Sequence, residues 1–109
     1  MKLHSDGLST TSDPWVELLR NTLPWEADLV EGPWIIHKDG YYYLFYSGHC
    51  YCDGTYATGV ARSKNALGPY EKKGDPIRKS DSVWVGPGHC SVLHTKEDPN
   101  QYVMVYHAW

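Results

Sequence analysis

The sequence predicts an all-β fold, and more specifically part of a β-propeller made of four-stranded antiparallel sheets. From residue 25 onward, runs rich in aromatic and apolar residues alternate with turns, which is the pattern of consecutive strands. No convincing amphipathic helix follows residue 24. The order of the runs then starts again within the 109 residues. Sheets of four strands that repeat every ~40–60 residues are typical of propeller blades.

An N-terminal segment, residues 1–24, precedes the predicted propeller domain at 25–109. Residues 1–14 are polar and contain Ser, Thr, Gly, Asp and Pro, which indicates a loop, a frayed end or part of a strand. Residues 15–23, WVELLRNTL, are compatible with a short helical turn or with a strand. Pro24 ends either one.

Six runs in the rest of the chain are predicted strands. They lie at residues 29–37, 41–47, 56–63, 70–79, 88–94 and 102–109. Lys38, Asp39 and Gly40 join the first two runs, and an Asp-Gly pair between apolar runs is a strong signal for a hairpin.

The last two runs repeat the first two. GPWIIH at 32–37 corresponds to HCSVLH at 89–94, and YYLFYS at 42–47 corresponds to YVMVYH at 102–107. The offset grows from 57 to 60 residues because the second turn is three residues longer. The alternative is a match between unrelated hairpins of similar composition. With the repeat, the chain holds about one and a half blades, whereas a propeller needs at least ~4. We therefore expect an internal piece of a longer protein.

Composition narrows the classes of partner. The net charge of −3 argues against nucleic acid, and no stretch is long enough to span a membrane. Nine Tyr and five Trp accompany a single Phe, and these amphipathic rings suit surfaces that meet sugars or proteins. They are also ordinary strand residues. Residues 1–15 lack the apolar core of a signal peptide, so the sequence assigns no compartment.

The three cysteines leave a second interpretation open. Cys50 and Cys52 are only two residues apart, and we expect no bridge between them. With His49 in the same loop, and with His89 and Cys90 a blade later, a small zinc-binding interaction module is conceivable. Cys-x-Cys is tighter than the usual spacing of zinc ligands, and we predict no metal site.

The most distinctive carboxylate is Glu31, in the run Val30-Glu31-Gly32-Pro33-Trp34. Apolar neighbours desolvate a carboxyl group and raise its pKa, and a protonated carboxylic acid can donate a proton to a leaving group. Gly32 and Pro33 would fix the backbone beside it. The alternative is a solvated residue at the start of a strand.

Several segments resemble glycoside hydrolase family 43. VEGPWIIHKDGYYYLFYSG is similar to the family's general-acid segment, and YATGVARSKNALGPYEK resembles its following strand and turn. GPGHCSVL and MVYHAW resemble the entry and second strand of the next blade. The resemblance implies a five-bladed β-propeller and an inverting glycosidase that acts on pentose-containing polysaccharides, at α-L-arabinofuranoside or β-D-xyloside bonds. It leaves arabinose and xylose, and exo and endo action, unresolved.

The resemblance makes Glu31 the general acid. An inverting enzyme also needs a carboxylate base ~6.5–9.5 Å away. The family's base and its pKa-tuning Asp belong to earlier blades, and neither motif is visible here. Asp13-Pro14 resembles the base's setting only superficially and is not assigned. We therefore expect the chain to be inactive alone.

The resemblance also implies residues that contact the sugar. His89, one position beyond the repeat-equivalent of Glu31, is placed near the floor of the site, where a His helps some members hold an axial ion, such as Ca²⁺, through water. No cofactor is required. Trp34 and Tyr46 are candidates to stack on a sugar ring. A structural role remains the alternative for His89 and core packing for Tyr46. A non-catalytic sugar-binding propeller is the alternative function. The family is commonly secreted.

Overall fold

Two antiparallel sheets make up the fold in a computed structural model that describes all 109 residues. The first sheet has the order β1-β2-β3-β4, and the second pairs β5 with β6. The elements are a 3₁₀ turn at Pro24–Glu26 and the strands β1 (Val30–Lys38), β2 (Tyr41–Gly48), β3 (Ala57–Ser63), β4 (Glu71–Lys72), β5 (Gly88–His94) and β6 (Tyr102–His107). The prediction of six strands is confirmed. The one helical element is a three-residue 3₁₀ turn, which cannot serve as a membrane span.

The repeat between the two sheets is a structural one. The β1–β2 register is interrupted between Glu31 and Trp34, and the β5–β6 register is interrupted between Gly88 and Ser91, which are the positions 57 residues later. Inside each irregularity one residue has a positive φ. It is Gly32 in the first sheet, at 59°, and His89 in the second, at 52°. The second sheet therefore repeats the first, including the position of the bulge.

Strand β4 is much shorter than predicted. The run 70–79 was expected to be one strand, but only Glu71–Lys72 pairs with β3 in a ladder. Pro76 has no N–H to donate, so a continuous ladder cannot pass through it. After the turn the chain returns to β3 at one point, where the Thr58 amide donates to the Arg78 carbonyl at 2.8 Å.

The segment 15–23 forms neither the helical turn nor the strand that its sequence allows. At the end of the segment, Oε2 of Glu26 accepts hydrogen bonds from the amides of Thr22 (2.7 Å) and Leu23 (2.9 Å). Those amides are thereby bonded to a side chain instead of to a backbone ladder. The segment runs in an irregular path into the 3₁₀ turn.

Glu26 is the most connected polar group of the fold. Its side chain is completely buried, and the Lys72 ammonium reaches both of its oxygens, at 2.6 and 2.7 Å. Tyr46 donates its hydroxyl to Oε1 at 2.7 Å. A buried carboxylate is tolerated only when it is paired and hydrogen-bonded in this way. The network ties the 3₁₀ turn to β2 and β4.

The apolar core lies between the first sheet and β5. Its buried residues are Leu44, Tyr46, Tyr56, Ala57, Ala61, Cys90 and Val92. Burial also raises the pKa of the free Cys90 thiol, which is therefore kept neutral. The core fixes β5 against the sheet that carries Glu31.

Candidate active site

One end of the two sheets gathers the candidate residues. Val30, at the start of β1, pairs with Gly48 at the end of β2, which in turn pairs with Ala57 at the start of β3. In the second sheet, Gly88 pairs with His107. The side chains at this end are Glu31, Ser47, Tyr56, His89 and His107.

Glu31 lies half-buried directly opposite Ser47. Its Oε1 accepts a hydrogen bond from the Tyr56 hydroxyl at 2.6 Å. Its other oxygen, Oε2, accepts no hydrogen bond from the chain. One oxygen is thus fixed by the protein, and the other is available to a ligand.

Trp34 is hydrogen-bonded to the second sheet. Its indole Nε1–H donates to the Val92 carbonyl of β5 at 2.8 Å, so the ring spans the seam between the two sheets. The bulge between Glu31 and Trp34 interrupts the regular alternation of side chains along β1. The hydrogen bond to the Glu31 carboxyl group comes from the Tyr56 phenol. Trp34 keeps 37% of its surface exposed.

Tyr56 is a buried phenol held between two groups. It has no exposed surface, and its ring stacks on His107 with centroids 5.7 Å apart and planes inclined by 16°. Burial, followed by the hydrogen bond to Glu31, raises the pKa of Tyr56 to about 12. The hydroxyl therefore stays protonated and acts as a donor throughout the neutral range.

His89 is exposed and held in a rare backbone conformation. Its φ of 52° falls in the left-handed region, which only a few per cent of non-glycine residues occupy. The Ser47 hydroxyl oxygen accepts its backbone N–H at 2.7 Å. The imidazole lies against Gly32, whose missing Cβ would come 3.2 Å from the ring. No group of the chain hydrogen-bonds the ring nitrogens, so the alternative of a ring tied to backbone does not fit.

Tyr46 is a buried core residue, which was the alternative to stacking on a sugar ring. Only 2% of it is exposed, its hydroxyl is bound to Glu26, and its ring stacks on Trp25 at a centroid distance of 5.7 Å. Burial, with the Glu26 bond, raises the pKa of this phenol strongly. Tyr46 offers no free face to a sugar in this arrangement.

The prediction that Cys50 and Cys52 do not bridge is wrong. They form a disulfide, because the turn that follows His49 brings their Cα atoms to 5.1 Å, within the usual range for a bridge. In an extended strand, residues two apart lie farther from each other. The two sulfurs are bonded to each other and are not the pair of thiolates that the zinc interpretation requires.

Sequence reasoning missed Tyr56, Ser47 and His107. A signal for two of them was present, because the 60-residue offset makes His107 the equivalent of Ser47. The 57-residue offset likewise makes Gly88 the equivalent of Glu31. A comparison of the residues at these equivalent positions in the two blades would have drawn attention to Ser47 and His107.

Comparisons with known proteins agree on one family. Residues 1–109 match the model described as glycosyl hydrolases family 43. An extracellular exo-α-(1→5)-L-arabinofuranosidase of Cellvibrio japonicus is 36% identical over 68% of this chain and 28% of its own length. A β-xylosidase of Xylanibacter ruminicola is 41% identical over 64% and 18%. The chain therefore spans less than a third of these curated relatives.

Solved structures give the same result. A thermostable family-43 glycoside hydrolase superimposes with a TM-score of 0.86 and 33% identity, covering 97% of this chain and 36% of its own. The α-L-arabinanase of Cellvibrio cellulosa, complexed with arabinohexaose, has a TM-score of 0.73 and 28% identity, with coverage of 97% and 39%. The chain therefore spans between a third and two fifths of the length of these structures.

Proposed function

Because the chain belongs to glycosyl hydrolase family 43 and forms part of a five-bladed β-propeller, we propose that Glu31 is the general acid of an inverting glycosidase. The proposed substrates are pentose-containing polysaccharides, cleaved at α-L-arabinofuranoside or β-D-xyloside bonds. The names of the relatives support this class, since they include an arabinofuranosidase and a xylosidase.

The observation that carries the proposal is the asymmetric environment of the Glu31 carboxyl group. Oε1 is held by Tyr56, while Oε2 accepts no hydrogen bond from the chain, and the His89 imidazole lies against the adjacent Gly32. A general acid needs one oxygen that can carry a proton toward the leaving group and a fixed orientation for the carboxyl plane. A glutamate that is exposed to water at the start of a strand would lack a buried hydrogen-bond donor of this kind.

The proposed reaction involves two proton transfers, one to the leaving group and one from the attacking water. Glu31 gives its proton to the glycosidic oxygen while the bond from that oxygen to the anomeric carbon breaks, so that the leaving sugar departs as an alcohol. A water molecule adds to the anomeric carbon from the opposite face and passes a proton to a second carboxylate. Asp13 is not assigned as that base; its carboxylate accepts a hydrogen bond from the Thr11 hydroxyl at 2.9 Å and lies 3.5 Å from the Lys2 ammonium.

We place the sugar against His89 and the exposed edge of Trp34. Both side chains present polar or aromatic surface to solvent near the bulges. The chemistry itself needs no cofactor, because acid and base are both carboxyl groups. Ca²⁺ prefers oxygen ligands, so His89, the group of this chain that would face an axial ion, fits only an outer role through water.

The experiment that tests the proposal uses Glu31→Gln in a polypeptide that carries this chain within a complete propeller. With arabino- and xylo-oligosaccharides, we expect kcat to fall by ~10²–10⁴-fold and KM to change little, because the amide keeps the shape but carries no acidic proton. Glu71→Gln is the matched control, since Glu71 is an exposed carboxylate on β4. Binding of oligosaccharide without turnover in the wild type would support the non-catalytic alternative, and equal kcat values in both variants would remove Glu31 from the acid role.

A further inference from the structure

The Tyr56 phenol that contacts Glu31 occupies space beside Gly88, a position at which the two blades carry different residues. Glu31 and Gly88 are repeat-equivalent positions, 57 residues apart, at the same point of their bulges. A Cβ atom on Gly88 would lie 2.1 Å from Cε1 and 2.4 Å from Cδ1 of Tyr56. The aromatic ring therefore occupies the space that a side chain at position 88 would need. The second blade omits a side chain where the first blade has its carboxylate.

The remaining neighbours hold the ring in that space. His107 is paired with Gly88 across the β5–β6 ladder, and its imidazole stacks on the phenol. Ser47, opposite Glu31, is completely buried and accepts the backbone N–H of His89. Tyr56 itself has no exposed surface. The hydroxyl of this enclosed ring donates to Oε1 of Glu31. A hydrogen bond with the Ser47 side chain acts the other way on the phenol and lowers its pKa.

We infer that Tyr56 is a positioning residue that holds the Glu31 carboxyl through Oε1 and so directs the transferable proton to Oε2. This inference rests on the proposed role of Glu31 as the general acid. Gly88 provides the space for the ring, and His107 keeps it in place. Tyr56 does not touch the substrate and does not itself give up a proton.

The effect on the reaction follows from the charge that develops on Glu31. Before the step, Oε2 carries the proton and Oε1 accepts the phenol hydrogen bond. After the proton has moved to the glycosidic oxygen, Glu31 is a carboxylate, and the same hydrogen bond becomes charge-assisted. Hydrogen bonds to charged acceptors are about twice as strong as neutral ones. Tyr56 therefore stabilises the product of proton transfer more than its reactant, which lowers the barrier.

The contact can be tested in the 109-residue chain without any turnover. Ionisation of Tyr56 is followed by NMR of its labelled ring carbon, and its pKa of about 12 reflects burial first and the Glu31 bond second. In Glu31→Ala we expect roughly a tenfold increase in the phenol's acid dissociation constant, because the acceptor is lost while the burial remains. Glu71→Ala, an exposed carboxylate, should leave the phenol unchanged. No change in Glu31→Ala would overturn the inference.

The positioning role is tested with Tyr56→Phe in the complete propeller. This variant keeps the ring and removes only the hydroxyl. We expect kcat to fall roughly 10–100-fold with KM within about twofold, which corresponds to one charge-assisted hydrogen bond. Tyr70→Phe is the control, since that hydroxyl bonds the Ala66 carbonyl in an exposed turn. A loss of folding alone would lower the yield of protein without changing kcat.

The outcomes separate this inference from the proposed function. If Glu31→Gln behaves as the loss of an acid while Tyr56→Phe keeps the wild-type kcat, the positioning role is wrong and the acid stands. If Glu31→Gln leaves kcat unchanged, the acid assignment fails, and with it the positioning role that rests on it. If the Tyr56 ionisation responds to Glu31→Ala and kcat falls in Tyr56→Phe, both are supported.

Discussion

The Tyr56 hydroxyl donates a 2.6 Å hydrogen bond to Oε1 of Glu31, joining the end of the loop before β3 to the start of β1. The two residues are 25 positions apart, and Tyr56 directly precedes β3 of the sheet to which Glu31 belongs. Gly88 and His107 of the next sheet complete the enclosure. The candidate site is therefore built at the seam between two blades, and both are needed to form it.

A first prediction concerns Gly88→Ala. The added methyl group would overlap the Tyr56 ring, so we expect a loss of ~1–3 kcal/mol in the free energy of unfolding, as for overpacking in a core. In the complete propeller, displacement of the ring should lower kcat as Tyr56→Phe does. Urea denaturation and steady-state kinetics measure the two effects.

The control for that substitution is Gly54→Ala. Gly54 has an ordinary negative φ, and its added Cβ would come 3.2 Å from a Val85 methyl group in an exposed loop. Its cost should stay within ~0.5 kcal/mol, which is usual for surface changes. Equal stabilities of the Gly88 and Gly54 variants would contradict the packing argument.

A second prediction separates the fold from the function at His89. The positive φ at this position favours glycine, so His89→Gly should leave the unfolding free energy within ~1 kcal/mol of the wild type. His89→Val should cost ~1–3 kcal/mol, because a β-branched residue is strained there. In the complete propeller, both variants should raise KM, since both lose the imidazole. A His89→Gly variant with unchanged KM would remove the residue from the sugar site.

A third prediction concerns acid stability and Glu26. Burial alone would raise the pKa of this carboxyl, but the bonds from Lys72, the Leu23 amide, Tyr46 and the Thr22 amide outweigh it and hold the pKa below its usual value. A depressed folded-state pKa contributes stability that is complete above the unfolded pKa near 4.5 and is lost as the pH falls through the folded value. The chain should therefore lose stability progressively as the pH falls below about 5.

The test compares Lys72→Met with the wild type in urea at pH 7 and at pH 3. Removing one partner of a buried pair costs ~3–5 kcal/mol, and we expect that loss at pH 7. The difference should be smaller at pH 3, because the unpaired Glu26 of the variant can take up a proton there and is no longer a buried charge. The exposed pair of Arg62 and Glu71, 4.0 Å apart, serves as control, and Arg62→Met should cost less than ~1 kcal/mol. A pH-independent loss in Lys72→Met would contradict the linkage.

A fourth prediction is that the purified 109-residue chain does not hydrolyse aryl arabinofuranosides or xylosides. The reason is chemical, because inversion requires a second carboxylate as base, and no residue of this chain is assigned that role. Release of nitrophenol by the pure wild-type chain, faster than in buffer alone, would contradict the expectation.

The strands could be predicted from sequence because their signals are local. Asp39-Gly40 marks a hairpin, and the aromatic runs on either side need only each other to pair. The repeat was visible because a bulge and its flanking strands keep their order in both blades. The exception is β4, where Pro76 interrupts a run that looked continuous.

The site was only partly predictable because its contacts are not local. Glu31 was found through a resemblance, whereas its partner Tyr56 depends on the absence of a side chain at Gly88, in another sheet. Glu26 resembled any charged residue in a polar segment until the fold brought Lys72 to it. The Cys50–Cys52 bridge depends on a tight turn that sequence spacing alone does not reveal.

The most direct test of Glu31 as a proton donor is the dependence of rate on the leaving group. In the complete propeller, Glu31→Gln should reduce turnover of substrates with poor leaving groups, such as unactivated oligosaccharides, by ~10²–10⁴-fold. Aryl glycosides with acidic phenols leave without help from an acid, so their turnover should fall far less. Equal losses on both kinds of substrate would contradict the assignment of Glu31 as the acid.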